Sequence, residues 1–194
     1  MRTPLGVSVV SMVAAGALGA WVVAADSIPG ERRLLIRVHD AGRSIDPVML
    51  VLSKATELVP LGVVAAGVLV VLLVRHRPAD ATLFGAGVAV VWAVNPLLKE
   101  LVGRSRPDLW PLPDTVSEYS FPSGHAANTA ALAGTLLLIL HSRPAWVVGL
   151  LLTAVGLVGL SQLVLGRHYP SDLLAGWLWA GAWVAVLGRW RGRT

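Results

Sequence analysis

Residues 99–172 read KELVGRSRPDLWPLPDTVSEYSFPSGHAANTAALAGTLLLILHSRPAWVVGLLLTAVGLVGLSQLVLGRHYPSD, and this stretch decides the fold. It carries three short polar clusters: Lys99 with Arg106-Pro107, then Pro122-Ser123-Gly124-His125, then Ser161 with His168 and Asp172. The apolar runs between them are long enough to cross hydrocarbon about 30 Å thick, which takes about 20 residues of helix. Polar and charged side chains at the ends of such spans are expensive and are functional candidates by default.

Composition agrees with a membrane domain. Of 194 residues, 55% are hydrophobic and 14% charged, against roughly 45–50% and about 25% in soluble domains. The expected architecture is all-α: a polytopic bundle of six transmembrane helices plus one extracytoplasmic, interfacial amphipathic helix, all within a single domain over 1–194. The spans read outward from the decisive stretch as residues 5–25, 61–74, 81–102, 124–140, 145–165 and 171–187. The first is 21 residues long, more than the roughly 7–15 of a signal-peptide core. The rival reading there is a cleaved signal ending at Val23-Ala24-Ala25.

From Asp26 to Val59 the polarity is mixed. Asp46-Pro47 reads as a helix start with a capping carboxylate and proline in the first turn. Val48, Val51, Leu52, Ala55 and Val59 then recur at helical spacing opposite Lys54 and Glu57, the pattern of an amphipathic helix that lies at the interface or leads into the second span. It packs over the site or acts as a lid. His39 and Asp40 form an isolated polar pair to which no chemistry is assigned. Within the third span, Asn95-Pro96 frees a backbone carbonyl and is expected to kink the helix.

Charge sets the expected orientation. With both termini cytoplasmic, the inner segments hold Arg2, Arg75, Arg77, Arg143, Arg189, Arg191 and Arg193 against Asp80, a net charge of +6; the outer segments carry −1. Basic residues concentrate on the cytoplasmic side, so the three polar clusters are expected on the extracytoplasmic face of the cytoplasmic membrane. Trp21, Trp146 and Trp190 fall near span ends as interfacial anchors, and Trp92, Trp177, Trp179 and Trp183 read as packing residues. The overall charge of +5 comes from 14 Arg and 2 Lys against 11 acids, with no clustered stripe of the kind nucleic-acid binders show. Cysteine is absent, which excludes disulfides and thiolate metal sites.

Cleaving a phosphate ester or anhydride needs donors around the phosphate oxygens, a nucleophile in line and an acid for the leaving oxygen. Lys99 and Arg106, seven residues apart, fall on one face if their helix continues, Lys as a point charge and Arg as a planar fork. Ser123 is a natural helix cap. Gly124 permits close backbone approach, and the helix N-terminus favours an anion beside His125. Pro170 suits a helix start, so Asp172 lies in the first turn and can reach back to His168, fixing its tautomer and raising the basicity of its other nitrogen. Zinc is the competing use of His125, His168 and Asp172; the neighbouring cations suit an anion better.

Taken together, Lys99 six residues before Arg106-Pro107, the tetrapeptide 122–125, and Ser161 with His168 and Asp172 resemble the three-part signature of the type 2 phosphatidic acid phosphatase superfamily, which also includes vanadium haloperoxidases. The resemblance implies that His168 attacks phosphorus to give a phosphohistidine, oriented by Asp172. It implies that His125 protonates the leaving group, that Lys99, Arg106, Ser123 and the Gly124 amide bind phosphate oxygens, and that neither metal nor cofactor is required. After Ser161 the family has a phosphate-binding arginine where this chain has Gln162. Arg167 is a substitute from the other side of the turn, or it meets lipid headgroups. The implied partners are a lipid phosphate substrate and membrane lipids, and no motif bears on oligomeric state.

A polyprenyl diphosphate is the favoured substrate, because the chain is short, the loops small and the site outward. Phosphatidylglycerophosphate, phosphatidic acid and a non-catalytic lipid-phosphate binder or transporter stay open; a haloperoxidase does not suit a chain that is nearly all span. Two histidines with an ordinary pKa of about 6.5, one neutral and one protonated, give a bell-shaped pH profile.

Overall fold

The computed structural model describes residues 4–25, 28–111, 117–140 and 142–191. Arg2, Asp26, His141 and Arg193 lie outside the described residues. The described chain is all-α: α1 (Pro4–Ala25), α2 (Glu31–Gly42), a 3₁₀ turn (Arg43–Ile45), α3 (Asp46–Ala55), α4 (Leu58–Val74), α5 (Pro78–Val102), α6 (Gly124–Ile139), α7 (Ala145–Val164) and α8 (Pro170–Arg191). Each expected span has its helix, with ends shifted by a few residues.

Among the described residues, α5, α7 and α8 are long and apolar enough to cross a membrane. A fourth span results if α2–α3 and α4, bent by 52° at their junction, count as one. The described apolar part of α1 (Val9–Ala25) and α6 are shorter apolar helices. At about 1.5 Å per residue, the 16 residues of α6 reach about 24 Å. α6 starts at the Ser123 cap, so its first turn belongs to the polar site.

The segment before α4 differs from its expected form. The polar stretch after Gly30 is helical, with Glu31, Leu35, His39 and Gly42 buried along one stripe of α2. In α3 the buried positions are Met49 and Ser53, while Val48 and Val51 face outward. The buried polar residue is Ser53, which is fully enclosed. Asp46 opens α3 without capping it, and its Oδ1 has no hydrogen-bond partner among the described residues. α5 runs through Pro96 without interruption.

α8 is the hub, packing on α1 and α6, and α6 in turn packs on α5 and α7. Small residues set these distances. Val91, Ala127, Ala131 and Ala180 form the α5–α6–α8 core, and a larger cluster around Phe84, Leu72 and Ile139 joins α4, α5 and α6. Gly176 is the tightest point: a Cβ there would lie 2.7 Å from the Ser123 carbonyl oxygen. Trp21, Trp146 and Trp190 are exposed, whereas Trp92 packs against the Phe84 cluster and Trp183 donates to the Ala86 carbonyl at 3.2 Å.

Helix direction separates two polar ends. The start of α5 and the ends of α6 and α8 meet at Asp80, which pairs with Arg77 at 2.7 Å and Arg191 at 3.2 Å. The end of α5, the starts of α6 and α8 and the end of α7 meet at the other end, where the three sequence clusters lie.

Candidate active site

α5 stops because Gly103 takes a left-handed conformation at φ 63° and its N–H bonds back to the Lys99 carbonyl, a glycine C-terminal stop. Lys99 and Arg106 therefore do not share a helix face as the spacing predicted. Lys99 is in the last turn and donates to the Tyr119 carbonyl at 2.6 Å. Arg106 is in the following loop, which is pinned by the Ser105–Tyr119 bridge and the Ser120 N–H to Arg104 carbonyl bond of 2.8 Å. From there Arg106 donates to the Ser117 carbonyl at 2.6 Å and the Arg167 carbonyl at 2.8 Å.

The second cluster is a capped helix start. Ser123 is fully buried and its Oγ accepts from the Ala126 N–H at 3.4 Å. The Asn95 amide faces the same turn, 3.5 Å from the Pro122 carbonyl. The Ser123 N–H donates to the Asp172 carbonyl at 3.0 Å, which ties the starts of α6 and α8 together.

The third cluster forms as its local sequence dictates. Pro170 opens α8, and Asp172 in its first turn sets Oδ2 3.3 Å from His168 Nδ1 and 2.8 Å from the Tyr169 N–H. Arg106 Nη1 lies 3.2 Å from His168 Nε2, so the ring is held from both sides. Burial, above all, pushes the His168 pKa down to about 3; the Asp172 hydrogen bond opposes this, and Arg106 and Lys99 reinforce it. His168 is therefore neutral at any working pH, and the ordinary titration range expected from sequence does not apply to it.

His125, Gln162 and Arg167 converge on Ser53 of α3. The Ser53 hydroxyl accepts from Arg167 Nη1 at 2.6 Å and Gln162 Nε2 at 2.9 Å. His125 Nε2 lies 3.2 Å from the Ser53 carbonyl and 3.5 Å from its hydroxyl. Arg167 is 1% exposed, which turns it to the interior and away from headgroups. Sequence reasoning missed Ser53, whose partners lie 72 to 114 residues away and which carries no local signal.

Behind Asp172 is a second group that the sequence did not reveal. Arg104 Nη1 donates to Asp172 Oδ1 at 2.6 Å and to Ser171 Oγ at 2.8 Å. Its Nη2 donates to Glu31, which also accepts from Ser171 Oγ. The Arg104 guanidinium stacks over Tyr169 at 4.1 Å. Burial works against the Arg104 charge, but Asp172 and Glu31 outweigh it and raise its pKa. Arg104 had one available signal: a second cation two residues before Arg106 at a helix end.

His39 is structural: Nδ1 lies 2.6 Å from the Val164 carbonyl, and the ring stacks on Trp110 with centroids 3.7 Å apart. The Trp110 ring also covers Gly166, where φ is +67° and a Cβ would meet the ring at 2.8 Å. Among the described residues no three His, Asp or Glu side chains come together as a metal would need. An apolar cavity of about 360 Å³ lies between α1, α5 and α8, and Phe121 and Pro122, which lead into Ser123, form part of its wall.

Fold and site together define a multi-pass helical membrane protein that gathers cations around a histidine–carboxylate pair at one end of its bundle. The chain belongs to the PAP2 superfamily, whose family model matches residues 80–194. It is 42% identical over 95 residues to decaprenylphosphoryl-5-phosphoribose phosphatase of Mycobacterium tuberculosis, covering 47% of this chain and 50% of that one. It is 41% identical over 71 residues to undecaprenyl-diphosphatase of Sulfolobus acidocaldarius, covering 37% and 32%. The chain thus spans about half the length, or less, of these curated relatives. The crystal structure of a transmembrane PAP2-type phosphatidylglycerolphosphate phosphatase from Bacillus subtilis superposes with a TM-score of 0.80 at 20% identity, covering 100% of this chain and 98% of that one.

Proposed function

We propose that this protein is an integral-membrane lipid phosphatase working through a phosphohistidine. The observation that carries this reading is His168, buried and neutral, with Nδ1 on Asp172 and Nε2 under the Arg106 guanidinium. Asp172 holds the proton on Nδ1 and leaves the Nε2 lone pair for phosphorus. When substrate enters, Arg106 moves its hydrogen bond from Nε2 to a phosphate oxygen, joined by Lys99, Ser123 and the Gly124 amide. The N–P bond forms as the P–O bond to the leaving group breaks, and His125 gives its proton to that oxygen. Water then attacks the phosphohistidine, giving its proton to His125 as the N–P bond breaks, which releases phosphate and restores both histidines.

In the proposed topology six helices span the cytoplasmic membrane, the termini are cytoplasmic and the site is extracytoplasmic, with α2 and α3 at the interface. The basic bias of the segments assigned inside supports it. So does the separation of the Asp80 end from the site end along the bundle. The favoured substrate is a polyprenyl diphosphate, cleaved to the polyprenyl phosphate. The apolar cavity behind Phe121 and Pro122 suits a lipid chain, and the undecaprenyl-diphosphatase relative carries that activity in its name. A second reading, a phosphomonoester on a polyprenyl-linked sugar, is favoured by the decaprenylphosphoryl-5-phosphoribose phosphatase relatives.

Phosphate release by detergent-purified protein in EDTA tests these readings. The substrates are polyprenyl diphosphate, decaprenylphosphoryl-5-phosphoribose, phosphatidylglycerophosphate and phosphatidic acid, beside a His168→Ala control. Release that disappears in the control supports the metal-independent phosphohistidine route, and the ranking of lipids decides the substrate. Binding of these lipids without release from any of them overturns the reading in favour of a lipid-phosphate binder or transporter.

A further inference from the structure

The chemistry of His168 and Asp172 leaves three buried groups behind them unused. Glu31 and Arg104 are 6% and 3% exposed, and Ser171 links them. Buried ions of this kind are costly to desolvate and do not by themselves signal stability. Their arrangement is directional. Asp172 divides its oxygens, Oδ2 towards His168 and Oδ1 towards Arg104. Arg104 divides its nitrogens, Nη1 towards Asp172 and Nη2 towards Glu31. The Ser171 hydroxyl accepts from Arg104 and donates to Glu31 Oε2, and the Ile28 N–H donates at 2.9 Å to Glu31 Oε1, the oxygen that also accepts from Arg104.

We propose that Glu31 and Arg104 are positioning residues for the nucleophile, forming with Asp172 and His168 a chain of alternating charge behind the reacting nitrogen. The proposal rests on the phosphohistidine reading above. As the N–P bond forms, positive charge develops on the His168 ring, and Asp172 must keep its negative charge facing Nδ1. An unbalanced Arg104 would draw that charge to Oδ1. Glu31 balances Arg104 from behind, so the carboxylate stays available to the ring, and the completed row reads minus, plus, minus, plus at the moment of transfer. Neither Glu31 nor Arg104 reaches the substrate; they act through Asp172. The simpler alternative is a staple that joins α2 to α8 without effect on chemistry.

Glu31→Gln keeps the shape and removes the charge. The measurement is the single-turnover rate of phosphoenzyme formation on a radiolabelled polyprenyl diphosphate, per active site titrated by the burst, with kcat, KM and the melting temperature. Glu31→Gln is expected to slow phosphorylation about 10- to 100-fold, the usual loss when a partner behind a working group is removed. KM should stay within about two-fold, because contacts to substrate are intact, and Glu31→Asp should recover part of the rate. An unchanged rate per active site with a lower melting temperature makes the pair a staple and overturns the proposal. A loss confined to KM overturns it too. If Glu31→Gln does not fold, Ser171→Ala keeps both charges and removes the hydroxyl between them. It should slow phosphorylation about five-fold, the value of one neutral hydrogen bond, and an unchanged rate is again fatal. Wild-type protein that releases phosphate from none of the four lipids removes the phosphatase reading itself and this inference with it, whereas an active wild type with an equally fast Glu31→Gln, measured on the lipid it cleaves, removes the inference alone.

Discussion

Arg106 Nη1 donates to His168 Nε2 across 3.2 Å, so a single guanidinium covers the nitrogen that attacks phosphorus in the proposed reaction. Under the proposed mechanism its role is double: it occupies the Nε2 lone pair before substrate binds, and it meets charge on the phosphate afterwards. Arg106→Ala should lower kcat/KM about 10- to 100-fold, the equivalent of one charge-assisted hydrogen bond worth about 1.5–3 kcal/mol. Arg106→Lys keeps the charge without the fork and should recover only part of it. Steady-state phosphate release checks both, and an Arg106→Ala enzyme within two-fold of wild type would remove Arg106 from the site.

The low pKa of His168 changes the expected pH behaviour. With the free ring titrating at about 3, the acid limb of kcat/KM should lie below pH 5, well under the ordinary histidine range of about 6.5. The alkaline limb belongs to the group that must be protonated, His125, and activity falls as pH rises through its pKa. Stability follows the same residue. The unfolded ring takes a proton near pH 6.5 and the folded ring does not, so the His168 contribution is fully present above about pH 6.5 and is lost as pH falls towards 3. Melting temperatures between pH 7.5 and 4.5 should therefore drop further in wild type than in His168→Gln. Parallel curves would contradict the assignment.

The parts of the site that sequence could reveal are local. Asp172 returns to His168 within one helical turn and Ser123 caps its own helix, so spacing alone was sufficient. The helices were legible because apolar runs are continuous and end at Gly, Pro or charged residues. What spacing could not show depends on distance along the chain or on the turn of the backbone. The Lys99–Arg106 relationship turns on the left-handed Gly103. Glu31 finds Arg104 across 73 residues and Ser171 across 140. The apolar spacing of α3 marked Val48 and Val51 as one face but gave no sign that Ser53 would be the buried residue beside Met49.

Ser53 is where the proposed replacement of the family arginine by Arg167 can be tested. Gln162 and Arg167 both donate to its hydroxyl, so Arg167 reaches the space beside Gln162 from across the turn. Arg167→Ala should reduce turnover about 10- to 100-fold, as loss of a charge-assisted bond does, and Gln162→Arg in the same chain should restore part of it. Ser53→Ala removes an acceptor that both donors share and should cost about ten-fold, within the 1–3 kcal/mol of a disrupted buried bond. Activity assays on the four proteins decide the matter; wild-type turnover by Arg167→Ala would show that Arg167 does not replace the arginine.

Gly176 controls the distance between the two histidine clusters. A Cβ there would lie 2.7 Å from the Ser123 carbonyl, 3.1 Å from the Ala127 nitrogen and 3.2 Å from the Ala126 Cβ, all of them in or next to the first turn of α6. None of these is the flexible end of a side chain, so the helices themselves must part. Over-packing of this kind costs about 1–3 kcal/mol, and the melting temperature of Gly176→Ala should fall. Activity should fall more steeply, because α6 carries Ser123, Gly124 and His125 while α8 carries Asp172. A displacement of about 1 Å between such groups can cost about 100-fold. Gly181→Ala is the control on the same helix: nothing lies within 4 Å of a Cβ there, and alanine favours the helix. That variant should melt no lower and turn over as wild type. Equal activity in Gly176→Ala and Gly181→Ala would mean that the contact between α6 and α8 does not set the geometry of the site.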